Sequence, residues 1–440
     1  VRDLVSLGPV DSAELERNVV GSGWFMPGMS ALLTPLFVVD PDASVFLIRC
    51  YLGVLTTVLL LLAVRSVRRT FGDLYAALLL VFPGLVPMWV LFSFAAWGDL
   101  VAGLLIVMLV AHLVAIFRQV RNGAAFSLSE GAWLGLVGIA VVYLRSSAAL
   151  LVGGMFVIVL AAAVVLLRGR ERRQAIAALA AAGAVFLALL APWSITASHS
   201  LGGRVVTTTS VPAALANTFG DYDRFCFGEC DPGSTKWFSP LRYSREVARA
   251  ADVGEVDVQA EMSTYALADM TPQSYARDVV VNFGRYAGNS AGYAALMLPR
   301  AEAAKTFWVV YVVTWLMVFA VLLVVLWSLL LATRRSFDSQ ILSIVLKLGI
   351  GSLFVQPFVH LSSARYWPSA APLFALAIGL FVQVHAERRA AVGVGPGRPP
   401  VEHVADTPHP VVVHRGLYWV QLFLAGATVA LVVGVLVLAI

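Results

Sequence analysis

Six side chains stand out in a chain otherwise poor in charge: Asp11, Asp99, Arg145, His360, Arg365 and Tyr366. Asp99 opens an apolar run, Arg145 closes one, His360 ends another, and Arg365 with Tyr366 precedes the next. A guanidinium offers a planar fork of N–H donors that matches phosphate oxygens. Arg145 and Arg365, with Tyr366 and His360 beside them, are therefore candidate phosphate-binding residues. One carboxylate at the same level could take the proton of an incoming hydroxyl. A second could orient the acceptor or hold a divalent ion. Together these groups suit group transfer from a lipid-linked phosphodiester, whose headgroup lies at this depth. The competing reading is that charges at the ends of apolar segments snorkel or anchor. Asp11 and Asp99 fit that reading least, because external carboxylates do nothing for a rule that counts cations.

The elements that must position these residues follow from composition. Of 440 residues, 60% are apolar and 13% charged, against about 45–50% and about 25% in average soluble domains. Mean hydropathy is +0.84. That leaves too little polar sequence to coat several globules and excludes disordered and collagen-like chains. The three cysteines do not make a disulfide scaffold. A net charge of +5 resembles a nucleic-acid signal, but the arginines cluster at the ends of apolar segments and no nucleic-acid motif interrupts the pattern. No Walker loop or GxGxxG turn is present, so nucleotide hydrolysis is not indicated.

A transmembrane helix needs about 20 mostly apolar residues. Ten such runs are read here: Val45–Val64, Leu74–Phe94, Leu100–Phe117, Gly131–Leu144, Ala148–Leu167, Ala175–Trp193, Phe307–Leu331, Ile341–His360, Pro368–Val384 and Tyr418–Leu438. They are continuous rather than alternating, which rules out barrel strands. Gly131–Leu144 is short enough to be tilted, broken or only partly spanning. Every second connection is arginine-rich: Arg65, Arg68 and Arg69; Arg118 and Arg121; Arg168, Arg170, Arg172 and Arg173; Arg334 and Arg335; Arg388, Arg389 and Arg398. By the positive-inside rule these ends are cytoplasmic, which puts Ser194–Ala304 and the N-terminal stretch outside. The first residue is Val rather than Met, and a further N-terminal helix upstream is expected; a first helix with its N-terminus outside is the alternative.

The expected organisation is an external N-terminal loop with juxtamembrane helices over 1–43, a first part of the bundle over 44–194 and an extracytoplasmic insertion over 195–304. A second part of the bundle over 305–386, a cytoplasmic linker over 387–416 and a last transmembrane helix over 417–440 complete it. Asp11 to Asn18 has helix-start character, Trp24-Phe-Met-Pro27-Gly28 breaks it, and Met29–Val38 forms a second surface helix. Arg242–Tyr286 reads as helical with a restart at Pro272. Cys226 and Cys230 read as a structural disulfide in an oxidising compartment, since a zinc pair would lack its other two ligands. Cys50 and His112 read as packing residues, and Arg49 as an anchor. His403, His409 and His414 lie in the linker with poor metal-ligand spacing. Lys347 lies within a span and must pair or line a cavity.

Several of these pieces, in order, resemble the large polytopic glycosyltransferases of the GT-C fold, the group of protein O-mannosyltransferases and lipid A aminoarabinose transferases. Asp11-Ser-Ala-Glu-Leu-Glu-Arg-Asn18 with Trp24-Phe-Met-Pro27-Gly28 is similar to the family's first external loop. Phe46-Leu-Ile-Arg49 is similar to the start of the next span, and Trp97-Gly98-Asp99 falls where the family has its second external acid. Leu144-Arg145-Ser146 is similar to an Arg-Pro step, with Ser in place of Pro. Ala191-Pro192-Trp193 with Arg204–Ser210 resembles the Pro-Trp exit and Ser/Thr segment, and Arg365-Tyr366-Trp367-Pro368 the Arg-Tyr-x-x-Pro segment. The resemblance implies an all-α polytopic membrane protein with a GT-C-like helix bundle, external juxtamembrane helices and a small external insertion. It implies a polyprenyl-phosphate-linked sugar as donor, transfer on the external face to a lipid, glycan or protein acceptor, Asp11 as the catalytic carboxylate and Asp99 in support. No cofactor beyond a divalent cation is in question, membrane lipids surround the chain, and nucleic acid is not a partner. The alternatives are a non-catalytic membrane protein of the same architecture and a lipid or solute transporter.

Overall fold

A computed structural model describes residues 12–221, 224, 239–288, 305–334, 336–360, 366–393 and 415–440. Every regular element among them is helical, with no β-strand, and the chain is an all-α polytopic membrane protein. Eight of the described helices are long and apolar enough to cross a membrane. Asp11, Arg365, Cys226, Cys230, His403, His409 and His414 lie outside the described residues.

Among the described residues, two short helices come first, α1 (Ser12–Val20) and α2 (Gly28–Val39). The bundle begins with α3 (Val45–Phe71), whose N-cap Ser44 accepts a hydrogen bond from Leu47 N. The expected span Leu74–Phe94 is not one helix. It is α4 (Asp73–Val81) and α5 (Pro87–Phe92), separated by Phe82–Val86. Proline supplies no backbone N–H and its ring clashes with the preceding turn; Pro83 interrupts the helix and Pro87 starts the next at a position that tolerates proline. Phe82, Val86, Trp89 and Phe92 around the break are buried, and Trp89 Nε1 donates to Pro368 O at 3.4 Å.

Next come α6 (Asp99–Arg121), α7 (Leu128–Leu144), a 3₁₀ turn at Ser146–Ala148, α8 (Ala149–Leu166) and α9 (Gly169–Ser200). The most hydrophobic 18-residue stretch of α6 is 78% buried, as expected of a helix apolar on every side. The short run Gly131–Leu144 extends back to a capping box, in which Ser127 and Glu130 satisfy each other's backbone N–H groups. At 17 residues, α7 reaches about 26 Å at ~1.5 Å per residue, a little under the ~30 Å hydrocarbon core. It packs on α9 through small residues: a Cβ on Gly131 would lie 2.0 Å from Ala178 O, and one on Gly135 2.3 Å from Ala182 O. In lipid such backbone contact supplies the packing that apolar side chains cannot. Gly135→Ala is accordingly expected to destabilise the protein by about 1–3 kcal/mol through overpacking, read as thermal unfolding in detergent; an unchanged transition would mean that α7 and α9 do not touch there.

The insertion contributes α10 (Ser210–Phe219), α11 (Ser239–Ala251), α12 (Glu255–Ala266) and α13 (Pro272–Gly288). The expected helical run Arg242–Tyr286 therefore breaks twice, at Pro272 and earlier, where Asp252 takes a positive φ of 53°. Burial raises the carboxyl of Glu255 above its ordinary range, against the opposing charge of Arg245. The bundle is completed by α14 (Lys305–Leu330), α15 (Phe337–Phe354), a 3₁₀ turn at Gln356–Phe358, α16 (Trp367–Gly393) and α17 (Arg415–Ala439). With α6, helices α15 and α16 form the centre, whereas α17 is only 6% buried over its most hydrophobic stretch.

Lys347 of α15 finds its partners at the end of α14. Its ammonium donates to Ser328 O at 2.8 Å, to Leu331 O and to Ser343 Oγ at 2.9 Å. The last carbonyls of a helix have no intrahelical donor and carry partial negative charge, so Lys347 closes the end of α14. His112 packs its ring against Trp133 at 4.6 Å between centroids.

Candidate functional site

Asp99 is the first residue of α6, and Arg145 immediately follows the last residue of α7. A carboxylate at a helix N-terminus and a cation at a helix C-terminus are each favoured by the helix dipole. The two ends lie side by side, at the end of the bundle opposite Arg118 and Arg121, and Arg145 Nη1 forms an ion pair with Asp99 Oδ1. Both side chains are 6% exposed.

Glycines permit this approach. A Cβ on Gly98 would lie 2.7 Å from Leu144 O, and one on Gly28 would lie 2.5 Å from the Tyr143 carbonyl. Two segments, the start of α6 and the start of α2, thus touch the backbone that leads into Arg145. α1 is tied to α9 by a hydrogen bond between Glu16 Oε1 and His199 Nδ1, near the end of α9, at 2.8 Å.

The guanidinium is oriented on three sides. Besides Asp99, Nε donates to Ser147 Oγ at 3.1 Å, and the group lies over the ring of Tyr366, 4.7 Å from its centroid. A cation over an aromatic face is attracted by the ring quadrupole. The Tyr366 hydroxyl shares a hydrogen bond with His360 Nδ1 at 2.9 Å. Gln356 Nε2 donates to Ser147 Oγ at 3.0 Å. Helix α13 closes this side: Tyr286 stacks on Trp367 at 5.0 Å, and Trp367 Nε1 donates to Tyr286 O. Burial pushes the Tyr286 phenol up, with the charge of Arg145 pulling it the other way.

Four of the six residues singled out by sequence are therefore joined in one cluster: Asp99, Arg145, Tyr366 and His360. The other two, Asp11 and Arg365, lie outside the described residues, although Ser12 and Tyr366 follow them directly in sequence. Sequence reasoning missed Ser147, Gln356, Gly28 and Gly98 as parts of the site. The two glycines sit in segments already quoted, Ser147 lies two residues beyond Arg145, and Gln356 is an amide inside an otherwise apolar run.

The arrangement is a guanidinium held in one plane beneath a low-dielectric bundle, with an aromatic face and an imidazole on its far side. A guanidinium fork matches phosphate oxygens, and here two of its nitrogens, Nη1 and Nε, are engaged by Asp99 and Ser147 with the side chain 6% exposed. Asp99 has the Arg145 cation against its carboxylate, unlike a metal ligand, and no group of three His, Cys, Asp or Glu side chains suited to a metal ion occurs among the described residues.

Comparison with protein-family models, with curated proteins and with solved structures returns no match to this chain.

Proposed function

We propose that this chain is an integral membrane glycosyltransferase that moves a sugar from a polyprenyl phosphate to an acceptor on the extracytoplasmic face. The observation that supports this reading most is the Arg145 guanidinium, held by Asp99 and Ser147 over the ring of Tyr366 at the bundle end that carries the insertion. The ordered resemblance of the loops to GT-C glycosyltransferases supplies the substrate class.

In this reading the acceptor hydroxyl attacks the anomeric carbon and a new C–O bond forms. The bond from that carbon to the phosphate oxygen breaks, and the electron pair leaves with the lipid phosphate. Arg145, with Arg365, stabilises the charge that builds on the departing phosphate. The proton of the attacking hydroxyl goes to the Asp11 carboxylate. Asp99 acts on Arg145 and not on the acceptor, because its carboxylate is engaged by the guanidinium.

Burial of the Asp99–Arg145 pair favours one competing reading, a non-catalytic membrane protein in which the pair only ties α6 to α7. The deciding experiment supplies membranes containing the protein with a panel of polyprenyl-phosphate sugars. Release of polyprenyl phosphate together with a glycosylated product is expected for one donor. Membranes in which every donor stays intact would sink the enzyme reading and leave the scaffold.

A further inference from the structure

The turn between α15 and α16 has carbonyls that no helix satisfies, and buried carbonyls need donors. Three are met by side chains of α13. Asn282, itself 1% exposed, donates through Nδ2 to Pro357 O at 3.2 Å and to His360 O at 3.4 Å. The Tyr275 hydroxyl donates to Phe358 O at 2.7 Å. Phe283 meets Phe358 edge to face at 5.4 Å. Within the turn, Val359 N and His360 N both donate to Gln356 O, which ties the two ends of the segment together.

Two arms leave this turn, and both end on partners of Arg145. The Gln356 amide reaches Ser147 Oγ, which also accepts from Arg145 Nε. The His360 ring reaches the Tyr366 hydroxyl, and the Tyr366 ring carries the guanidinium. A helix of the insertion is thereby linked, through one turn, to the orientation of a cation between α7 and α16.

We propose that α13 is a latch on the Arg145 site, with Asn282 and Tyr275 as positioning residues that act through the turn Gln356–His360; the phosphate part of this proposal rests on the reading of Arg145 given above. The insertion thus sets the affinity of the membrane bundle for a lipid phosphate, and loosening α13 loosens the guanidinium.

The test uses the full chain in nanodiscs and two readouts. In hydrogen exchange, Asn282→Ala is expected to raise exchange at Val359 and His360 and also at Ala148, whose N–H donates to Arg145 O. A rise confined to the 356–360 turn would overturn the latch. For binding, the probe is a polyprenyl monophosphate without sugar. Asn282→Ala and Tyr275→Phe are each expected to weaken its binding about fivefold in the wild-type background, and by less than about twofold when Arg145→Lys has removed the Nε link to Ser147. Equal losses in both backgrounds would mean that the two residues merely hold the fold together and would overturn the proposal. A wild-type protein that ignores the lipid phosphate would remove the phosphate reading of Arg145, and the exchange pattern would then decide the latch by itself.

Discussion

Asp99→Asn is expected to lower the stability of the protein by about 3–5 kcal/mol, the cost of leaving a buried charge without its partner. The substitution keeps the shape of the side chain and removes only the charge. Arg145 would remain where its side chain is 6% exposed, without the carboxylate that Asp99 sets against it. Replacing both partners, as Asp99→Leu with Arg145→Met, should leave the protein more stable than either single change, because no uncompensated charge remains. Thermal unfolding of the four variants in one detergent measures this directly. Additive losses would show that the two groups do not share a desolvated pair.

Asp11→Asn is expected to behave in the opposite way. Sugar transfer should fall by about 10²–10⁴-fold, the usual contribution of a positioned general base, with the unfolding transition in place. Asp99→Asn should lower both. The two carboxylates thereby separate: one acts on the acceptor, the other on the cation that receives the leaving phosphate. Full transfer by Asp11→Asn in membranes would refute the mechanism. Loss of transfer accompanied by an equal loss of folded protein would reassign Asp11 to structure.

The helices were legible in the sequence to different degrees, for physical reasons. Runs such as Leu100–Phe117 and Ala148–Leu167 announce themselves because lipid tolerates neither unsatisfied backbone nor scattered charge. The interruption at Pro83 was written in Phe-Pro-Gly-Leu-Val-Pro but read through, because mean hydropathy over twenty residues does not register two prolines. The further break at Asp252 depends on a positive φ that an Asp adopts only in context. Lys347 was visible as an outlier, but its partners are main-chain carbonyls of α14, which carry no sequence signature.

Asp99, Arg145, His360 and Tyr366 were legible as candidates, since polar groups at the ends of apolar segments are rare enough to notice. Their joining was not. It depends on the backbone of Tyr143 and Leu144 lying against Gly28 and Gly98, where any side chain would intrude. Asn282 and Tyr275 were invisible for a different reason. They are neutral, and residues of their types are common on any amphipathic helix or loop.

By itself, the order of residues along this chain determined an all-α membrane protein and where its few charges stand along the chain, because burial in lipid constrains composition one segment at a time. Which of those charges meet was decided by tertiary structure alone. Pairing Asp99 with Arg145, and coupling both to α13, requires helices far apart in sequence to approach within van der Waals contact. That distance is set by packing, which no single segment encodes.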